Sequence, residues 1–95
     1  VYIPDAFSPN GDGINDYFTV FTYSSIRRVK EMLIFNRWGE TVFQIEDFIP
    51  NNPTTGWDGK IRGQVANTGV YVYYVLIEFL DGEEVIFKGD VTLMQ

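Results

Sequence analysis

The chain has 95 residues, the size of one domain and close to the smallest size at which a single core is self-sufficient. Hydrophobic residues make up 45% of it and aromatic residues 17%, a composition that excludes a disordered chain. The formal net charge of −6 argues against nucleic acid as the main partner, because phosphate binding requires a basic surface.

Cysteine and histidine are both missing from the sequence. Without cysteine there is no disulfide framework or thiolate zinc site, and without histidine there is no Ser-His or Cys-His triad. The adjacent carboxylates Glu46-Asp47 and Glu83-Glu84 do not indicate catalysis, since neighbouring strand residues point to opposite faces. We therefore expect no enzyme and no catalytic residues.

No apolar run approaches the ~18 residues of a membrane span, and no basic-then-apolar leader opens the sequence. We expect no membrane insertion. If the protein is exported, its export signal is expected to lie outside these residues or to be the folded domain itself.

Short apolar runs broken by Gly, Asp, Asn and Pro are the dominant pattern, and they predict an all-β fold. In the first half of the chain, strands are predicted at Val1–Ile3, Phe18–Tyr23, Val29–Phe35 and Thr41–Ile45. The last two form a hairpin around Asn36–Gly39, in which Gly39 supplies the positive φ that a short loop requires.

In the second half, Glu46–Gly56 is predicted to be a long irregular loop and Trp57–Gly63 a turn-rich segment. The longest strand is expected at Val70–Leu80, and Asp81-Gly82 predicts a hairpin into a last strand at Val85–Leu93. About seven strands at this spacing predict an antiparallel β-sandwich, formed by residues 1–95 as a single domain.

The strand at Val70–Leu80 has apolar residues on both faces, which predicts a central position in the sheet. Val29–Phe35 has the same property, so the two strands would leave an apolar patch outside the sandwich, a usual mark of an interaction site. Cover by the Glu46–Gly56 loop is an equally good explanation. The accessibility of Tyr71 and Tyr73, the candidate interaction residues on this strand, discriminates the two.

The most specific stretch of the sequence is FSPNGDGINDYF, at residues 7–18. Side-chain oxygens on alternating residues, with glycines between them, suit a loop for calcium. The candidate ligands are Asn10, Asp12, the carbonyl of Ile14, and Asp16. The loop lacks the acidic first residue and the final glutamate of a complete EF-hand pattern. The alternative is a rigid corner in which Asp and Asn side chains cap backbone amides.

Trp38, in NRWG, and Trp57, in WDG, are each expected to cover an edge of the small core. Alternatively, Trp38, Tyr71 and Tyr73 could stack on sugar rings. The alternative function is therefore a calcium-dependent adhesive or glycan-binding module of a cell-surface protein.

Four blocks occur in order along the chain: IPDAFSPNGDGIND at 3–16, IFNRWGETVF at 34–43, WDGK at 57–60 and TGVYVYYV at 68–75, followed by GDVTLMQ at 89–95. This combination resembles the gliding-motility-associated C-terminal domain, the type B sorting domain of the type IX secretion system. The resemblance covers essentially the whole chain.

The resemblance implies an immunoglobulin-like β-sandwich that directs a large secreted or cell-surface protein across the outer membrane. Its expected partners are components of the type IX translocon and an outer-membrane partner protein, contacted by protein–protein recognition. Arg27, Arg28 and Lys30, expected on a loop between strands, are candidates for docking an acidic patch of a translocon subunit. Solubility is the simpler role for that basic cluster.

Overall fold

The computed structural model describes residues 1–9, 11, 16–22, 26–52 and 55–94, and this part of the chain contains strands and no α-helix. Seven strands are present in the described ranges: β1 (Ala6–Phe7), β2 (Ile26–Phe35), β3 (Thr41–Phe48), β4 (Lys60–Ile61), β5 (Gln64–Val65), β6 (Gly69–Phe79) and β7 (Glu84–Leu93). The prediction of an all-β domain of about seven strands is confirmed. Among these residues, no helix has the length and hydropathy needed to cross a membrane.

Five strands form one sheet in the order β1-β7-β6-β2-β3, while β4 and β5 pair with each other in a small second sheet. The β6–β7 hairpin forms around Asp81-Gly82, as predicted, and is paired from Gly69↔Leu93 to Glu78↔Glu84. All pairs are antiparallel except β1 with β7, which run parallel. The main sheet is therefore mixed rather than purely antiparallel.

Strand β3 extends further than the sequence indicates. It continues through the acidic pair Glu46-Asp47 to Phe48, which pairs with Val29 and is only 5% exposed. Burial of Phe48 therefore keeps this stretch on the sheet despite its charge. The irregular segment begins at Ile49 and not at Glu46, so the predicted loop is shorter than expected.

Two of the predicted strands contribute only isolated bridges. Tyr2 pairs with Phe21, through backbone hydrogen bonds of 2.6 and 2.8 Å, and Phe18 pairs with Trp57. Tyr23, the predicted end of the second strand, lies outside the described residues. The segment 17–22 is thus held by these single residue pairs and by Asn51, and not by a continuous ladder. The backbone amide of Asn51 donates to the Val20 carbonyl at 3.0 Å, and its side chain accepts from the Thr22 amide and donates to the Thr22 carbonyl.

The core lies between the five-stranded sheet and these bridged segments. Its fully buried members from the sheet include Met32, Ile34, Val75, Ile77 and Val91, and those from the facing segments include Phe18, Val20 and Trp57. The bridged segments therefore supply the opposite layer, an arrangement consistent with a β-sandwich. Gly56 is required beside the Phe18–Trp57 bridge, because a Cβ at this position would collide with the Phe18 carbonyl.

Thr19 carries a defect in this layer. Its side chain is fully buried, and its hydroxyl has no hydrogen-bond partner within the described part of the chain. A buried hydroxyl without a partner destabilises the folded state, because it has lost its hydrogen bonds to water.

We expect the Thr19→Val variant to be more stable than the wild type by about 1 kcal/mol, since it replaces the hydroxyl with a methyl group of similar size. Thr19→Ala is the control and should be less stable than Thr19→Val, because it leaves a cavity. Urea denaturation measures both. A Thr19→Val variant less stable than the wild type would show that the hydroxyl is hydrogen-bonded in solution.

Candidate functional site

The β2–β3 turn is held together by the side chain of Asn36. Its Oδ1 accepts hydrogen bonds from the backbone amides of Trp38 and Glu40, each at 3.0 Å. Its Nδ2 donates to the Glu40 carboxylate at 2.9 Å. Gly39, with φ of 85°, closes the turn as the sequence predicts. Three hydrogen bonds made by one side chain hold this turn rigid.

The side chain of Trp38 projects from this turn into solvent. It is 73% exposed, the largest exposed fraction among the large hydrophobic residues described, and the Arg37 guanidinium lies 4.7 Å from its ring centroid. The expectation that both tryptophans cover the core is thus correct for Trp57, which has no exposed surface, and wrong for Trp38. Residue-type averages predicted burial, but the turn geometry points the indole outward.

Grooves flank Trp38 on two sides. One, of about 290 Å³, lies between the turn and the start of β6 and is lined by Asn67, Val70 and Tyr71, among others. The second, of about 770 Å³, lies between the turn and the β4–β5 hairpin, where Arg62 lines it. Trp38 and Tyr71 border both grooves, so the two form one continuous surface around the turn.

Tyr71 anchors this surface to the core. Its ring packs edge-on against Trp57 at a centroid distance of 5.0 Å, and its hydroxyl donates to the Asn67 carbonyl at 2.7 Å. Burial raises the pKa of Tyr71, while the positive charge of Arg37 lowers it by a smaller amount. The wall of the first groove is therefore fixed from beneath by a neutral, hydrogen-bonded phenol.

Tyr71 and Tyr73, the predicted interaction residues of the long strand, both lie on its core side. Tyr71 is 7% exposed, and the Tyr73 ring packs against Phe18 at 5.5 Å. The outer face of β6 instead carries Val70 and Val72, which are 54% and 40% exposed. Apolar surface is thus exposed on this strand, but at different residues from the two tyrosines.

The predicted basic cluster lies on β2 and not on a loop. Arg28 contacts Glu78 and Asp47, each at 3.0 Å, and Lys30 contacts Glu84 at 2.7 Å. Arg27 approaches Glu78 at 3.8 Å and donates to the Leu80 carbonyl. The cluster is therefore matched by carboxylates of the same domain.

The hydrogen bond from Lys30 to Glu84 raises the pKa of Lys30. A pKa raised by folding contributes stability that is present at neutral pH and is lost as pH rises through the raised value. The pair is exposed, so solvent screens this contribution.

The candidate calcium loop lies only partly within the described residues. Asn10, Asp12 and Ile14 lie outside the described residues. Asp16 lies within them, and its Oδ1 accepts a hydrogen bond from the Gly11 amide at 3.0 Å. Among the described residues, no group of three acidic, histidine or cysteine residues could hold a metal ion. Calcium binding by this loop stays a prediction.

Comparison with models of protein families identifies the family of this chain. The model of the CHU_C type IX secretion signal domain matches residues 1–93. The chain belongs to this family. Type IX secretion signal domains are targeting modules, and they mark proteins for export across the outer membrane to the cell surface or the medium. The comparison with curated proteins found no match.

The two tryptophans of this type IX secretion signal domain should respond differently to substitution. Trp57→Ala should lower the free energy of unfolding by about 3–5 kcal/mol, because it removes a buried ring and leaves a cavity in the core. Trp38→Ala should change it by less than about 0.5 kcal/mol, because it alters only the surface. Urea denaturation measures both values. A large loss of stability in Trp38→Ala would show that the indole packs against the domain in solution.

The raised pKa of Tyr71 gives a pH-dependent prediction. Above the ordinary tyrosine pKa of about 10, the unfolded phenol ionises while the folded one stays protonated, so stability falls as pH rises. Tyr71→Phe should be less stable than the wild type by about 1 kcal/mol at neutral pH, since it loses the hydrogen bond to Asn67.

The difference between the two proteins should narrow as pH rises above about 10, because only the wild type loses the Tyr71 contribution. Denaturation curves between neutral and alkaline pH measure this difference. A constant difference across the range would contradict the assignment. The alkaline loss due to Lys30 is common to both proteins and cancels.

Proposed function

We propose that this domain targets the protein that carries it for type IX secretion by presenting a folded surface to proteins of the translocon. The supporting observation is the family match over residues 1–93 of a chain whose described part folds into a layered β domain with a continuous core. The partners would be translocon components and an outer-membrane protein that receives the folded domain.

The geometry supports recognition of a surface over recognition of a linear segment. The exposed residues around the β2–β3 turn come from two separated parts of the sequence: Trp38 from the turn, and Val65 of β5 with Val70 of β6. Folding brings them to the same end of the domain, where they border shared grooves. A partner that binds there recognises a surface that exists only in the folded domain.

Glycan binding, the alternative from the sequence, loses most of its stacking platform. Tyr71 is buried and Tyr73 packs against Phe18, so Trp38 is the remaining exposed member of the proposed aromatic trio. The Arg37 guanidinium also lies over the Trp38 ring, where it competes with a sugar ring for one indole face. No observation favours this second function.

Fusion of residues 1–95 to a reporter tests the proposal in a bacterium that has a type IX secretion system. The reporter carries its own leader for the inner membrane. We expect the fusion on the cell surface or in the medium, and the reporter without the domain in the periplasm. Export should fail in a strain without the translocon. A fusion retained in the periplasm by the wild-type strain would contradict the proposed function.

The same assay separates a folded signal from a linear one. Trp57→Ala should lose export because it destroys the core, whereas Ile49→Ala, which removes an exposed side chain, should be exported normally. Cell fractionation with immunoblotting measures both variants. Undiminished export of the Trp57→Ala fusion, with its unfolding shown on the purified domain, would mean that the machinery reads a linear segment.

A further inference from the structure

We propose that the Trp38 platform, defined as Trp38, Arg37, Arg62 and the two grooves around them, binds an acidic segment of a partner protein that also carries an apolar side chain. This inference rests on the proposed function, since it identifies the surface that the secretion machinery contacts. Three features of this surface support the proposal: apolar exposure, positive charge unmatched by carboxylates, and rigidity.

Exposed apolar side chains line the platform. Trp38 is 73% exposed, and Val65 and Val70, which line the two grooves, are 63% and 54% exposed. Exposed apolar side chains that share a concave surface indicate a binding site. Tryptophan and arginine are also the residue types most enriched among the side chains that dominate binding energies.

Positive charge on the platform is unmatched. The cations of β2 are paired with carboxylates, as in the contact of Lys30 with Glu84 at 2.7 Å. In contrast, no carboxylate within the described ranges lies within 4 Å of the charged atoms of Arg37 or Arg62. Glu40, which also lines the second groove, accepts a hydrogen bond from Asn36 instead.

The unmatched charge identifies the occupant. The chain as a whole carries a net charge of −6, so two exposed arginines that pair with no carboxylate of the described residues form a local positive site on an acidic protein. Carboxylates of a partner complement such a site, and arginine binds them in a planar, two-point geometry. An apolar side chain between those carboxylates would lie in a groove against the indole of Trp38.

Rigidity lowers the cost of binding. The Asn36 side chain holds the turn through three hydrogen bonds, and the bond from Tyr71 to Asn67 holds the opposite wall at 2.7 Å. Side chains that are already positioned lose little conformational entropy on association. The platform thus combines an exposed aromatic anchor with fixed walls.

The test compares variants of the exported reporter fusion. Trp38→Ala and the double variant Arg37→Glu/Arg62→Glu should each lower the export rate by about tenfold or more. Their unfolding midpoints should stay close to that of the wild type, which separates loss of binding from loss of folding. Trp38→Phe should retain most of the export, because it keeps an aromatic side chain.

Two matched controls lie elsewhere on the surface. Leu80→Ala removes an apolar side chain that is 57% exposed, and Lys88→Glu reverses an exposed charge on β7. Both should be exported at the wild-type rate. If export of the wild-type fusion fails, the proposed function fails. If the wild type is exported and the platform variants are exported equally well, the platform proposal is overturned and the proposed function stands.

Direct binding tests the chemistry of the occupant. The probe is the purified type IX translocon in detergent, titrated into the fluorescently labelled domain. Binding should be weakened about tenfold or more by Trp38→Ala, and also at high ionic strength, where the Debye length falls to about 3 Å. Salt-independent binding would overturn an acidic occupant. Trp38-dependent dimerisation of the free domain, or Trp38-dependent binding to a polysaccharide panel without binding to the translocon, would overturn a protein partner of this kind.

Discussion

Two backbone hydrogen bonds between Phe18 and Trp57, of 2.8 and 2.9 Å, join the segments that cover the five-stranded sheet. The Trp57 ring fills the space beneath this bridge. Its centroid lies 5.4 Å from that of the Phe7 ring and 5.0 Å from that of the Tyr71 ring. Its indole nitrogen donates to the Lys60 carbonyl at 3.0 Å, which ties β4 to the same point. One buried side chain thus connects both sheets and the bridged layer. For a domain of 95 residues, such a connection is a large share of the total stability.

The same connection determines the surface at that end of the domain. Trp57 supports Tyr71, and Tyr71 holds the Asn67 carbonyl, so the groove wall beside Trp38 depends on contacts made in the core. The turn itself needs no core contact, because Asn36 satisfies its backbone amides locally. The two tryptophans therefore have opposite roles. Trp57 stabilises the folded domain from within the core, and Trp38 is exposed on the surface of that domain.

Local signals predicted the parts of the fold that depend on local chemistry. The Asp81-Gly82 hairpin and the turn at Asn36–Gly39 both form as expected, since their geometry is set by residues that tolerate positive φ. The two-residue strands β1, β4 and β5 carry too few residues for a periodic pattern. The pairing of β1 follows from a tertiary contact, the burial of Phe7 beside its parallel partner β7. In contrast, β4 and β5 are joined by a two-residue turn, Arg62 and Gly63, in which both residues have positive φ.

The candidate site was harder to predict, for a physical reason. The usual burial of aromatic residues gave the expectation that Trp38 covers an edge of the core, and only the direction of the turn shows that it is exposed. The alternating pattern of β6 gave the correct split of its faces, but not which face meets the core, so Tyr71 and Tyr73 were expected outside. The basic cluster was recognised from the sequence, whereas its matching by Glu78 and Glu84 requires strand register.

Hydrogen exchange of the domain, free and bound to the purified translocon, tests most directly whether the translocon binds the surface of the folded domain. We expect the amides of Phe18 and Trp57 to exchange slowly in both states. We expect new protection in the bound state at residues 36–40 and 67–72, around the exposed indole. Rapid exchange of the core amides in the bound state would show that the machinery binds an unfolded chain, and would contradict recognition of a folded surface.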